Sequence, residues 1–149
     1  MADKVRIGSG AGYAGDRWEP AVELAEKGEI DFLAFECLAE RTIARDNLAR
    51  IRDPGKGYNP LLPDRIRAVL PGCMKHGVRM ITNMGAANPV KAARRVCEIA
   101  NELGFSGLLA AVVLGDDVRN VVVGMPELEL IETGMHLEEI LPKMASANA

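Results

Sequence analysis

The sequence lacks any apolar run of the ~18 residues that a transmembrane helix requires. The first residues also lack the long apolar stretch of a secretory signal. We therefore expect a cytoplasmic protein without a membrane partner.

Cysteine and histidine are scarce. Cys37, Cys73 and Cys97 are far apart and form no CxxC motif, so neither a disulfide framework nor a zinc site is encoded. His76 and His136 stand apart from them and suggest no ligand pair. We predict no metal site.

An excess of positive charge is absent too. Lysine and arginine number 18 against 21 aspartate and glutamate residues, a net charge of −3, and the basic residues are scattered among acids. This pattern argues against a nucleic-acid partner. Hydrophobic residues make up 48% of the 149 positions, as in ordinary globular proteins. The length predicts a single domain over residues 1–149.

Glycines divide the chain into repeated units. Gly28, Gly77 and Gly104 each follow a helical pattern and precede a short apolar run. These runs predict strands at residues 30–35, 78–82 and 107–114, after a weaker first strand at 4–7. Helices are predicted at about 20–27, 38–51, 64–76 and 89–103, the third kinked or broken near Pro71. In the tail, 121–123 is a candidate strand and 137–147 a helix.

Strands alternating with helices predict an α/β fold. The expected architecture is a three-layer, Rossmann-like open sheet, mostly parallel, with helices on both faces. Ligands of such sheets bind outside the carboxyl ends of the strands. The distinctive loops all follow predicted strands, at residues 8–17, 36–42, 83–88 and 115–117, so we expect the site there.

The first of these loops is rich in glycine. Residues 10–15 match the dinucleotide pattern GxGxxG, and Glu36 ends the next strand, where an acid would bind a ribose hydroxyl. However, the next helix is marked only by Pro20, so the loop is longer than a tight phosphate turn. An anion-binding or nucleotide-phosphate loop and a plain mobile loop both stay open, and NAD is the less expected cofactor.

Acidic and amide side chains follow the other strands. Glu36, Asp116 and Asp117 could converge as acid or base groups. Alternatively, the aspartates cap a turn and Glu36 pairs with a nearby arginine. Asn83 is a plausible amide donor to a carbonyl or carboxylate, whereas Asn88 fits a helix cap better than a ligand contact. The candidate catalytic residues are Glu36, Asp117 and Asn83, and the candidate ligand-binding residues are Ser9, Gly10, Gly12, Gly15, Asp16, Arg41, Gly85, Asn88 and Asp116.

Four blocks in combination resemble the opening of the acyclic terpene utilisation family, the AtuA-like proteins. They are RIGSGAGYAGDR at 6–17, FECLAERT at 35–42, TNMGAANP at 82–89 and GDDV at 115–118. The resemblance implies a bacterial or fungal catabolic protein of pathways that degrade branched or terpenoid acids as coenzyme A esters. Because family members are longer, it also implies that this chain is an N-terminal portion.

Three functions are therefore under consideration. The first is a catabolic enzyme domain that acts on a small carboxylic acid or acyl-CoA by acid/base chemistry, as a hydro-lyase or lyase would. The second is a nucleotide-binding Rossmann domain. The third is a non-catalytic subunit or assembly module. No cofactor is identified beyond the coenzyme A moiety of such a substrate, and we expect either a homo-oligomer or a partner domain that covers the C-terminal segment.

Overall fold

The computed structural model describes residues 4–149, which divide into two compact units, residues 4–112 and 113–149. The elements of the first unit are β1 (Ile7–Ala11), α1 (Glu19–Lys27), β2 (Phe32–Phe35), α2 (Glu40–Arg52), α3 (Leu62–His76), β3 (Arg79–Thr82) and α4 (Pro89–Glu102). The second unit contains α5 (Arg119–Val123), α6 (Leu137–Ile140) and a 3-10 turn, Leu141–Lys143. The α/β class is confirmed, while a single domain over residues 1–149 stays a prediction.

The sheet is open and parallel, as predicted. Its strand order is β1-β2-β3, with Ile7 opposite Phe32 and Phe32 opposite Arg79. Since the order never reverses, right-handed crossovers carry α1 and α3 to the same face. There α1 packs against β1, β2 and α3, and α3 packs against α4. In a doubly wound, Rossmann-like sheet the strand order reverses at one point. The three strands of this sheet contain no such reversal, so the Rossmann-like order stays a prediction.

The two faces of the sheet differ in burial. Leu33 and Phe35 face the helices and are almost completely buried. On the opposite face, Ile7 is 67% and Ile81 58% exposed. Within residues 4–112, the predicted second layer of helices does not cover this face, because both crossovers run in one direction.

The first strand lies later than predicted. It spans Ile7–Ala11 instead of residues 4–7, so part of the glycine-rich segment is strand and not loop. A Cβ on Gly10 would lie 2.7 Å from Cε1 of Phe35, and the register with β2 shifts between Ser9 and Ala11. Glycine at position 10 therefore serves close packing of β1 against a ring of β2.

Other predicted elements need smaller or larger corrections. Helix α3 runs unbroken through Pro71 and ends at Gly77, whose φ of 69° is the left-handed conformation that glycine adopts without strain. Residues 107–114 form no strand; Leu109 is 95% and Val113 92% exposed there. An apolar run forms a strand only beside a hydrogen-bonding partner, and sequence pattern does not supply one.

The tail also differs from its prediction. Residues 121–123 are helical because the amides of Val121 and Val122 both donate to the carbonyl of Val118. The predicted helix at 137–147 is α6 followed by a 3-10 turn that begins at Leu141 and includes Pro142. None of the helices in residues 4–149 has the length and apolar character needed to cross a bilayer.

Gly10→Ala tests the packing of β1 against β2. We expect it to lower the free energy of unfolding by about 1–3 kcal/mol, because the ring of Phe35 is buried and has little room to move. Gly12→Ala is the matched control, since a Cβ at Gly12 meets only the Asp16 carboxylate, at 4.0 Å. Urea unfolding measures both; equal losses would contradict the packing account.

Candidate functional site

Glu36 and Asn83 meet where β2 and β3 end. The Asn83 amide nitrogen donates to Oε1 of Glu36 at 3.0 Å, and the amide of Leu38 donates to the same oxygen at 2.9 Å. The side-chain oxygen of Asn83 in turn accepts from the Cys37 amide at 2.7 Å. The structure therefore brings Glu36 and Asn83 together, while the role of Asn83 as a donor to a ligand stays a prediction.

Part of this pair remains available to a ligand. Glu36 is exposed, and among residues 4–149 its second carboxylate oxygen has no hydrogen-bond donor. The second N–H of the Asn83 amide likewise has no acceptor in this part of the chain. A carboxylate oxygen and an N–H donor thus stand side by side at the strand ends, which suits a base acting next to a polarised oxygen.

The loop after β1 is closed by its own aspartate. Oδ2 of Asp16 accepts from the Gly12 amide at 3.0 Å, and Oδ1 accepts from the Arg17 amide at 3.0 Å. The φ of Gly12 is not positive. The carboxylate of Asp16 thus occupies the Gly12 N–H, which an anion-binding loop would offer to a ligand.

The remaining glycines of the predicted site lie against protein atoms. A Cβ on Gly15 would come within 3.1 Å of the Tyr13 ring, and one on Gly85 within 2.8 Å of Pro89. Ser9 lies inside β1 on the exposed face of the sheet. These contacts give the three positions a structural explanation, and ligand contact there stays a prediction.

Among residues 4–149, Arg41 and Asn88 form no hydrogen bond with Glu36 or Asn83. Arg41 is exposed in the first turn of α2. Asn88 occupies the cap position of α4 without a side-chain cap bond; its amide instead donates to the carbonyls of Pro54 and Lys56, at 3.1 and 2.7 Å. Asn88 therefore holds the loop between α2 and α3.

Asp116 and Asp117 belong to the second unit. A carboxylate oxygen of Asp116 accepts from the Asn148 amide at 2.9 Å, and one of Asp117 accepts from the Arg119 amide at 3.3 Å. Both aspartates tie together segments of their own unit, and the strand that was expected to precede them is absent from residues 107–114. Their convergence with Glu36 stays a prediction.

Comparison with known families identifies the chain. Residues 5–149 match the family described as acyclic terpene utilisation family protein AtuA. The chain belongs to this family. No curated protein and no solved structure matches it. The resemblance found in the sequence blocks is thus confirmed over nearly all of the AtuA-family chain.

Two buried polar residues of this AtuA-family site escaped the sequence interpretation. Asn59 is 2% exposed; its amide nitrogen donates to the carbonyl of Ala14 at 3.1 Å, and its backbone amide donates to that of Met84 at 2.8 Å. Asn59 therefore fastens the loop after β1 to the loop after β3. Its only sequence signal was a position in a Gly/Pro-rich loop, which indicates exposure.

The second is Arg65 of α3, which is 0% exposed and lies below the same loops. Its guanidinium donates to the carbonyl of Asp16 and contacts Sγ of Cys37 at 3.3 Å and Sδ of Met84 at 3.7 Å. These three partners follow β1, β2 and β3 respectively. One buried cation thus connects all three strand ends.

Cys37 is a poor candidate for a nucleophile. It is 2% exposed, and burial raises the pKa of its thiol, which the Arg65 guanidinium only partly offsets. Since the thiolate is the reactive form, Cys37 is suited to packing. Among residues 4–149, no three His, Cys, Asp or Glu side chains converge as the ligands of a metal would.

Asn59→Ala tests the link between the loops. The variant leaves the Ala14 carbonyl without its donor and the Leu61 amide without the oxygen that accepts from it at 2.9 Å. We expect a loss of about 1–3 kcal/mol in the free energy of unfolding, measured in urea. Asn101→Ala, at an exposed position of α4, should cost much less, and a similar cost for both would argue against the link.

Proposed function

We propose that this AtuA-family chain is a catabolic enzyme domain that acts on a small carboxylic acid or acyl-CoA by acid/base chemistry. Glu36 is the base that removes a proton from the carbon beside the carbonyl group, and Asn83 donates a hydrogen bond to that carbonyl oxygen. The proton passes to the carboxylate as the enolate forms, and protonated Glu36 returns it to the product or to a leaving hydroxyl. Dehydration uses this proton removal directly, hydration runs it in reverse, and a carbon–carbon lyase shares the enolate, which protonated Glu36 then protonates at carbon.

The observation that carries the proposal is that only one of the two carboxylate oxygens of Glu36 accepts hydrogen bonds from the described residues. Two N–H donors hold Oε1 of Glu36 at 2.9 and 3.0 Å, so the side chain is oriented before a substrate arrives. The other oxygen of the exposed Glu36 side chain has no donor among residues 4–149. Such positioning lowers the cost of reaching the transition state.

The nucleotide-binding alternative has less support. In the dinucleotide fingerprint the glycines open a helix whose amides face the pyrophosphate. Here Gly10 lies in β1 against Phe35, the Gly12 amide is bonded to Asp16, and α1 begins only at Glu19. NAD is therefore not proposed as a cofactor.

Deuterium exchange at the α-carbon of an acyl thioester tests the proposed base. Butanoyl-CoA and crotonyl-CoA are incubated with the protein in D2O, and loss of the proton signals next to the carbonyl or at the double bond is followed by NMR. We expect exchange or hydration with the unchanged chain, and a rate at least about 10²-fold lower in Glu36→Gln.

Glu36→Gln keeps an oxygen that accepts from Asn83 and Leu38, so its fold should be retained, as circular dichroism can verify. Glu40→Gln, an exposed acid in the first turn of α2, is the matched control and should exchange at the unchanged rate. Equal rates in both variants, or no reaction of either thioester with the unchanged chain, would exclude Glu36 as the base.

We further propose that the C-terminal segment associates with a second copy or a partner domain. Ile131 is 98% and Leu128 45% exposed in the second unit, and exposed apolar side chains favour association. Sedimentation velocity should show mass increasing with concentration, and Ile131→Lys should weaken the increase. A strict monomer at every concentration would contradict association with a second copy.

A further inference from the structure

Arg65 is a buried charge without a countercharge. An arginine side chain stays protonated at all ordinary pH values, so burial cannot neutralise it. Among residues 4–149, no carboxylate lies within salt-bridge distance of its guanidinium; the contacts are the Asp16 carbonyl and the sulfurs of Cys37 and Met84. Sulfur is a weak acceptor. The protein therefore leaves this cation undercompensated.

The Nε–H of Arg65 is the clearest sign of a missing partner. It is a buried polar atom without any hydrogen-bond acceptor, and it is the one such side-chain nitrogen or oxygen in residues 4–149. An unsatisfied donor on a charged group is costly and is usually satisfied by protein, water or ligand. A guanidinium presents its donors in a planar fork that matches two oxygens of one carboxylate.

We propose that Arg65 is the binding residue for the carboxylate group of an acid ligand at the strand ends. The inference rests on the proposed function in placing the ligand at the carboxyl ends of the strands next to Glu36. A bound carboxylate accepts from the guanidinium fork, supplies the absent countercharge and satisfies Nε. It takes the place of the Asp16 carbonyl, which is the partner in the exposed loop.

The loop over Arg65, residues 12–17, is held by few interactions. Residues 12–17 are held by the bond from the Gly12 amide to Asp16, by Asn59 on the Ala14 carbonyl and by Arg65 on the Asp16 carbonyl. No side chain of the loop enters the hydrophobic core, and Tyr13 is 61% exposed. Because the Gly12–Asp16 bond lies within the loop, moving the loop away from Arg65 breaks only the other two hydrogen bonds and exposes little apolar surface. A carboxylate that gains charge-assisted bonds to Arg65 can compensate for this loss.

The Nε–H signal of Arg65 in a 15N–1H NMR spectrum tests the proposal on the unmodified chain. Acetate and butanoate are titrated at constant ionic strength, with chloride and inorganic phosphate as comparators, and the signal is assigned by its absence in Arg65→Lys. We expect both carboxylates to move it downfield in a saturable manner, while chloride and phosphate leave it in place. An unmoved signal with both carboxylates, or movement by phosphate instead, overturns the proposal.

Variants extend the test. Arg65→Lys keeps the charge but loses the fork, and we expect a loss of acetate affinity of about tenfold or more, followed at the Gly12 amide signal. Arg67→Lys is the control on the same helix, because Arg67 pairs with Glu102 at 2.5 Å, and its acetate affinity should not change. Should Arg65→Lys fail to fold, the Arg65 signal is assigned by through-bond correlations in the uniformly labelled chain, and the titration of the unmodified chain decides alone.

The same titration on Glu36→Gln separates this inference from the proposed function. We expect the shift of the Arg65 signal to persist there, because the carboxylate-binding group is Arg65 and not Glu36. A static Arg65 signal in a chain that exchanges thioester protons defeats the inference and leaves the base assignment standing. If the Arg65 signal shifts but no thioester protons exchange, the inference stands and Glu36 is excluded as the base.

Discussion

The guanidinium of Arg65 is completely enclosed at the carboxyl ends of the strands. Burying an ion costs on the order of several kcal/mol unless its surroundings compensate. The loops after β1, β2 and β3 each contribute one partner to it, namely the Asp16 carbonyl, Cys37 and Met84. Without a ligand, the cation therefore depends on all three loops for its partners. The geometry of the strand ends depends on this one side chain.

The same edge of the sheet carries the polar groups that can act on a ligand. Asn83 links the Cys37 backbone to the carboxylate of Glu36, and Asn59 holds the loop after β1 against the loop after β3. Arg65 holds the loops that follow the three strands, and Asn83 holds the carboxylate of Glu36. Glu36 therefore has a defined orientation at the surface. Within residues 4–112, the helices pack on one face of the sheet, and Ile7 and Ile81 on the opposite face are exposed.

The sequence predicted those features that arise from local pattern. Apolar runs and glycine-terminated helices gave β2, β3 and the four longer helices to within about three residues, and the rule that polar loops follow strands brought Glu36 and Asn83 together. It could not reveal that Phe35 requires a glycine at position 10, since that contact joins residues on different strands. Residues 107–114 look like a strand because pattern records hydrophobicity and not the presence of a neighbour. Arg65 was missed because an arginine on an amphipathic helix is ordinarily exposed.

Native-state hydrogen exchange measures the central claim that the three strand ends are one structural unit anchored by Arg65. The amides of Glu36, Cys37 and Asn59, which donate to the Ala11 carbonyl, to the Asn83 side chain and to the Met84 carbonyl, are followed together as denaturant is increased. A single unit predicts that all three exchange with the same opening free energy and the same dependence on denaturant. Separate opening free energies, with one strand end exchanging well before the others, would contradict it.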